Sequence, residues 1–291
     1  MNANPLAEVF GYPTGNRTPE AERYRKNKLC PFNNKVPSCT KDKANDPLGV
    51  CSIFEEGRTI ITCPVRFREG WLIAEDAARF FFKRSVSWTS IAEVRLADKD
   101  GNTAGNIDLV LVSYDEQGQV LDFGSLEVQA VYISGNIRQP FKRYMSSRQR
   151  STDFIWSGPN FPKADFLSSS RKRLAPQMLY KGGILKAWDK KQAVALQTSF
   201  FETLPKLKET TPSKADIAWL LYDLKVDKRN NRFKLTQNRI VYTEFGTALK
   251  QITTAEPGKV EDFIGVLQEK LDEKLEGNPP DAPTLTDITL T

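Results

Sequence analysis

Between residues 91 and 133 the side chains alternate apolar and polar with a period of two, and the chain reverses at short polar turns. Ala92, Val94 and Leu96 share one face of the first run, with Glu93 and Arg95 on the other. The turn Asp98-Lys99-Asp100-Gly101-Asn102 leads into the apolar run Ile107 to Val112. A second turn, Asp115-Glu116-Gln117-Gly118, leads into a third run, Ser125 to Ile133. Turns this short join antiparallel strands, so the segment reads as a meander.

Helical patterns flank it. Glu75 to Phe82, within residues 73–88, carries acidic residues in its first turn, as helix starts favour. Residues 164–204 read as mostly helical, with breaks near Pro176 and at Gly182-Gly183. Two more strand-like runs, Ile217 to Val226 and Arg239 to Phe245, flank the polar turn Lys228-Arg229-Asn230-Asn231. A closing helix over about 258–276 places Val260, Phe263, Ile264, Leu267 and Leu271 at helical spacing. Residues 1–29 are polar and basic and read as an arm or a short helix from Pro19 to Lys28. The expected fold class is α/β (α+β), a mixed central sheet flanked by helices. The expected divisions are an N-terminal arm and cysteine module over 1–70, a main domain over 71–276, and a disordered acidic, Pro-rich tail over 277–291.

The net charge of +6 is uneven: residues 256–291 carry −6 and residues 1–255 carry +12. A basic body suits a polyanionic partner such as nucleic acid. No apolar stretch is long enough for a transmembrane helix, and Met1-Asn2-Ala3-Asn4-Pro5 lacks the pattern of a secretory signal, so a cytoplasmic location is expected. Histidine is absent, which removes Ser-His-Asp and Cys-His catalysis and His-ligated zinc together. Hydrolytic chemistry must then rest on carboxylates, Lys, Tyr, Ser, Cys or metal ions.

Carboxylates interrupt the apolar strands at the right places. Asp108 sits in Gly105-Asn106-Ile107-Asp108-Leu109-Val110, and Glu127 in Leu126-Glu127-Val128-Gln129-Ala130-Val131. Glu127 and Gln129 are two apart and share a strand face. Carboxylates in neighbouring strands repel unless paired or joined by a divalent ion. Asp108 and Glu127 could hold Mg²⁺, which activates water and offsets charge on a scissile phosphate. Gln129 could orient the attacking water, and Glu93 could complete the metal shell or take a proton. Salt bridges to Arg95 or Lys142, or solvent-facing edge positions, would satisfy the same carboxylates without any chemistry.

All four cysteines, Cys30, Cys39, Cys51 and Cys63, fall within 34 residues, with eight, eleven and eleven residues between successive ones. No CxxC pair is present. Two disulfides would suit an oxidising compartment, which the expected cytoplasmic location argues against, and the clustering argues against four unrelated thiols. A tetrahedral Cys₄ metal site is the favoured reading. The basic residues Arg138, Lys142, Arg143, Arg148 and Arg150, with Tyr144 among them, and the triplet Arg171-Lys172-Arg173 are candidates for phosphate or guanine contacts, or simply a solvated face.

The block from Glu93-Val94-Arg95-Leu96 through Gly105 to Val112 and on to Glu127-Val128-Gln129-Ala130-Val131-Tyr132 resembles the NotI-type restriction endonucleases, type II enzymes of the PD-(D/E)XK nuclease superfamily. The likeness extends over most of residues 8–250, through Cys30-Pro31-Phe32, Gly49-Val50-Cys51-Ser52, Ala77 to Phe82, Ser134-Gly135-Asn136 and Arg171 to Gln177. The resemblance implies a Mg²⁺-dependent homodimer that cuts double-stranded DNA at a GC-rich palindrome containing GGCC. It implies metal binding by Asp108 and Glu127, a site completed by Glu93 and Gln129, and iron or zinc at the four cysteines. Gln129 departs from the superfamily's usual Lys but agrees with this family. A metal-stabilised DNA-binding protein without cleavage activity, or a repair or structure-specific nuclease, would fit the same residues less fully.

Overall fold

The computed structural model describes residues 4–33, 36–43, 45–146 and 160–277. Met1–Thr253 forms one compact unit and Thr254–Thr291 another. The first opens with β1 (Leu6–Val9), β2 (Tyr12–Pro13), the helix α1 (Pro19–Lys26), the short pair β3 (Asp42–Lys43) and β4 (Asp46–Pro47), and the hairpin of β5 (Val50–Glu55) and β6 (Arg58–Ile61). Helix α2 (Leu72–Phe81) precedes β7 (Trp88–Ala97), β8 (Thr103–Tyr114), β9 (Val120–Gln129) and β10 (Tyr132–Ser134). Helix α3 (Arg138–Ser146), β11 (Lys163–Asp165) and a helical run over residues 166–187 follow. The unit closes with β12 (Gln192–Gln197), β13 (Ile217–Asp227), β14 (Arg232–Thr243) and the helix Phe245–Thr253.

A six-stranded sheet in the order β14-β13-β12-β9-β8-β7 forms the centre. β7, β8 and β9 pair antiparallel, as the expected meander requires. β12 then runs parallel to both β9 and β13, and β14 returns antiparallel along β13. The sheet is therefore mixed, with helices packed on it.

β12 is the strand that sequence periodicity conceals: residues 164–204 read as mostly helical, yet Gln192–Gln197 lies at the middle of the sheet with all six residues buried. Val194 and Leu196 pack with Ile217, Trp219, Leu221 and Val241 on one face. Ala193 and Ala195 pack with Ala218, Leu220 and the α2 residues Ile73, Ala74 and Ala77 on the other. A parallel strand covered on both faces has no polar side to alternate with, so a period of two never shows.

The helical run over 166–187 also differs from expectation, because it does not break at Pro176 or at Gly182-Gly183. Two wide π turns, Ser170–Leu174 and Met178–Gly182, alternate with α turns, and the residues at each junction keep right-handed helical dihedrals. Pro176 falls at the start of the α turn that follows the first wide turn, where its missing N–H costs little. Gly182 lets the helix close onto Phe245, whose ring would lie 2.5 Å from any Cβ there.

The N-terminal segment is more than an arm. Leu6, Ala7 and Val9 of β1 are fully buried, and β1 is central in a four-stranded sheet ordered β2-β1-β5-β6. The expected boundary near residue 70 lies inside the first compact unit. The segment shares an apolar core with the central sheet, and a buried ion pair adds to the join. Arg66 Nε donates to both oxygens of Glu8 at 3.1 Å, Nη1 reaches Glu69 at 2.7 Å, and Nη2 donates to the Phe233 carbonyl of β14 at 2.9 Å. In the second unit the helix Val260–Gly277 forms as expected, with Val260, Phe263, Ile264, Leu267 and Leu271 exposed. The expected disordered tail, apart from Gly277, lies outside the described residues, as do Arg148 and Arg150. No helix among the described residues is long and apolar enough to cross a membrane.

Glu8 and the Arg66 side chain are both fully buried, so deleting one partner strands the other. Arg66→Met should therefore lower unfolding free energy by about 3–5 kcal/mol in urea titration. Glu8→Gln combined with Arg66→Met should recover part of that loss, because no uncompensated charge remains.

Candidate active site

Strand register builds the site. The β8–β9 ladder pairs Leu109 with Leu126, and one step further along each strand Asp108 faces Glu127. The β7–β8 ladder pairs Ala92 with Leu109 and Val94 with Ile107, so Glu93 lies opposite Asp108. The three acidic residues thus form a row across three adjacent strands. Leu109, Leu126 and Val128 point to the α2 face, which turns Asp108, Glu127 and Gln129 to the opposite face, towards the 166–187 helix.

The residues in this row are not equivalent. Glu127 is 1% exposed and Gln129 5%. Asp108 is half-buried, and its Oδ2 accepts from the Val128 N–H at 2.8 Å, which fixes its carboxylate beside Glu127. Glu93 is exposed, and its φ of 57° is left-handed within a strand, a conformation that costs about 1–3 kcal/mol for a residue with a side chain. The sheet edge is therefore distorted at the one acidic residue of the row that faces solvent.

Two residues that sequence reasoning passed over complete the arrangement. Lys181, 4% exposed, donates from Nζ to both carboxylate oxygens of Glu127 at 3.0 Å and to the Asn106 carbonyl at 2.5 Å. Gln177, one turn earlier, accepts from the Gln129 amide. The ion partner of the cluster is thus Lys181, and neither Arg95 nor Lys142. A signal for it does exist in the sequence. Leu174, Met178, Lys181 and Leu185 form the buried stripe of the helix, and a lysine at a position where an apolar side chain belongs marks a buried charge with a partner.

Burial raises the Glu127 carboxyl most, and the neighbouring Asp108 charge raises it further. The Lys181 ammonium opposes both, and the outcome is a carboxyl pushed up to about 7. Its donors are oxygens, two carboxylates brought together by adjacent strands, which is the chemistry a hard divalent ion takes. Asp108 and Glu127 therefore fit such an ion.

The cysteines lie apart from this row. All four are free thiols; Cys39, Cys51 and Cys63 are buried and Cys30 is half-buried. Cys51 lies in β5, and the Thr62 N–H donates to its carbonyl at 3.0 Å, which sets β6 and Cys63 alongside. The Cys30 N–H bonds the Pro37 carbonyl, and the Cys39 N–H the Lys28 carbonyl. Burial raises the thiols of Cys30, Cys39 and Cys51, and the nearby Cys63 adds to each. Sulfur donors in such proximity have the right chemistry for a soft metal. Even so, among the described residues no three or more His, Cys, Asp or Glu side chains are arranged to hold a metal ion. The cysteine arrangement as it stands does not fit one.

Basic groups near the site divide by role. Arg138 is held by Asp42 and Asp46. Arg173 stacks on Tyr132, 3.8 Å from its ring centroid, while Arg171, Lys172 and Arg173 are all exposed on the helix whose inner side carries Lys181.

Residues 8–235 match the family model described as restriction endonuclease NotI, a stretch that contains the acidic row, Gln129, Lys181 and all four cysteines. No curated protein matches the chain. The class is that of site-specific deoxyribonucleases, type II restriction endonucleases. Within that class, the chain belongs to the NotI restriction endonuclease family.

The raised carboxyl makes a checkable statement about stability. Folded Glu127 keeps its proton to about 7, whereas the unfolded chain releases it near 4.5. Without divalent ions, stability should fall as pH rises through that window, because the folded state then binds more protons than the unfolded one. Urea midpoints measured against pH in chelator should show this decline in the wild type and a flatter profile in Glu127→Gln. Matching profiles would show that Glu127 titrates normally.

Proposed function

We propose that this restriction endonuclease makes Mg²⁺-dependent double-strand cuts at a GC-rich palindromic site, with a GGCC core as the resemblance implies. Asp108 and Glu127 are the ion's ligands, and Glu93 and Gln129 complete the site. The observation that carries this reading is the placement of Asp108 and Glu127 opposite each other on adjacent strands, one of them buried, on the face beneath a helix with an exposed basic side. The mixed sheet with this row on one face supports a PD-(D/E)XK core. A divalent ion bound there would supply Lewis-acid activation of water and offset charge on the scissile phosphate.

The remaining work falls to the chain's own groups. Asp108 is anchored by the Val128 N–H, with its carboxyl against that of Glu127. Gln129 is neutral and is no general base; fixed by Gln177, it orients a water or its neighbours by hydrogen bonding. Glu93, exposed at the rim of the row, is placed to take the proton that the attacking water loses. Arg171, Lys172 and Arg173 provide positive charge for the DNA backbone. A homodimer, one site per strand, matches a palindromic target by its twofold symmetry. For Cys30, Cys39, Cys51 and Cys63 the proposal is a structural Cys₄ site for iron or zinc, carried by their clustering within 34 residues; it requires thiol positions other than those of this structure.

Asp108→Asn and Glu127→Gln should each cut plasmid DNA roughly 10²- to 10³-fold more slowly, the scale of losing one transition-state charge contact. Binding in gel shifts should survive. Wild-type cutting by Asp108→Asn would remove the proposed site, and retarded but uncut DNA with the wild-type protein and Mg²⁺ would point to a binder. Sequenced fragment ends give the target and stagger. Elemental analysis should find about one iron or zinc per chain, reduced in Cys51→Ser; protein purified without either metal would end the Cys₄ reading.

A further inference from the structure

Asp108 and Glu127 sit together on adjacent strands, the first half-buried and the second buried, and such a pair is costly unless something positive lies against it. Lys181 supplies that charge. Its ammonium meets both oxygens of Glu127 at 3.0 Å, and nothing in its surroundings suggests an apolar packing role: it interrupts the stripe of Leu174, Met178 and Leu185. Local backbone is shaped around it. The wide turn Met178–Gly182 carries it, and Gly105, at a φ of 105° that side chains rarely adopt, passes so close that a Cβ would lie 3.3 Å from the Lys181 Cε. The Asn106 carbonyl next to Gly105 takes a third hydrogen bond from the ammonium, at 2.5 Å.

We propose that Lys181 is a positioning residue that acts as a built-in counter-ion: it holds Glu127 and Asp108 in place while the divalent ion is absent, and yields Glu127 when the ion binds. This inference rests on the reading of Asp108 and Glu127 as the ion's ligands. Lysine suits the task because its charge is compact and its four-carbon stem flexible. On ion binding the ammonium would keep the Asn106 carbonyl as a partner and give up at least one of the two Glu127 oxygens it now occupies. Arginine, planar and with five donors in a fixed fork, would not withdraw so simply. The site is thereby kept formed without metal, and ion binding becomes an exchange of one cation for another.

The test uses the full-length protein without DNA and reads thermal unfolding in chelator and in Ca²⁺. Lys181→Met should be destabilised in chelator, and Ca²⁺ should restore much of the loss. Its Ca²⁺-induced rise in Tm should exceed the wild-type rise by roughly 3 °C or more. A lysine that merely packs would give the same loss in both conditions. Equal rises in the two proteins, with the wild type responding, would overturn the role of Lys181 and leave the metal ligands standing. A wild type that does not respond to Ca²⁺ would overturn both. Should Lys181→Met fail to fold in chelator, the double variant Glu127→Gln/Lys181→Met decides. If it folds without ion, the lysine is there to balance the carboxylate; if it too fails to fold, Lys181 is a packing residue and the inference is wrong.

Discussion

Two carboxyl groups on adjacent strands, one of them buried, are the constraint around which this protein is arranged. Asp108 and Glu127 can face each other only because the β8–β9 register puts them on one line, and that register is held by apolar neighbours on the other face. Leu109, Leu126 and Val128 anchor the strands against α2, so a one-residue slip would swap core and site faces at once. On the site face, the 166–187 helix must cover the row and also bring a positive group to it. Its buried stripe does both, with leucines and a methionine for the core and a lysine for the carboxylate.

Glu8 and Arg66 repeat the pattern beside β14, with a structural outcome. A guanidinium whose three nitrogens all donate can sit in the core, and Arg66 donates to Glu8, Glu69 and the Phe233 carbonyl. Its plane also lies over Phe32, 4.2 Å from the ring centroid, next to the stretch that carries Cys30. Arg66 thereby ties the cysteine-bearing stretch to β14, and that stretch belongs to the same compact unit as the central strands. Lys41 fastens the stretch within itself, donating to the Val50 and Thr62 carbonyls beside Cys51 and Cys63.

Much of this is written locally in the sequence. The meander from β7 to β9 shows in its alternation and its turn residues, and the acidic row follows from it, because residues two apart share a strand face. Helix α2 and the closing helix are legible because each has one polar and one apolar side; the β13–β14 hairpin shows by its polar turn, although β14 spans Arg232–Thr243 where the pattern predicts only Arg239 to Phe245, and Phe245 already starts a helix. The parts that were missed depend on partners far away in the chain. β12 carries no alternation because neighbours cover both its faces. β1 looks like the start of a polar arm because its Glu8 is neutralised by Arg66, nearly sixty residues later. Lys181 reads as one more basic residue until Glu127 is seen against it. Even the continuity of the helix through Pro176 depends on a wide turn, which leaves no mark in the pattern of residue types.

Those wide turns carry a consequence for how such a chain can change. A π turn is an α-helix that has accepted one extra residue without breaking, and each residue in a helix rotates its successors by roughly 100°. The run over 166–187 contains two of them, one before Gln177 and one around Lys181. The wide turn absorbs that extra residue, so the helix on either side keeps the orientation an uninterrupted α-helix would give. Deleting one residue from a wide turn would therefore restore an ordinary helix at little cost in backbone bonding, with its two ends in their present relative orientation. A deletion or insertion in the α turn Ala175–Gln177 between them has no such slack and would swing one side around the axis. The wide turns are thus where this helix can change in length, while the α turn between them is expected to stay fixed.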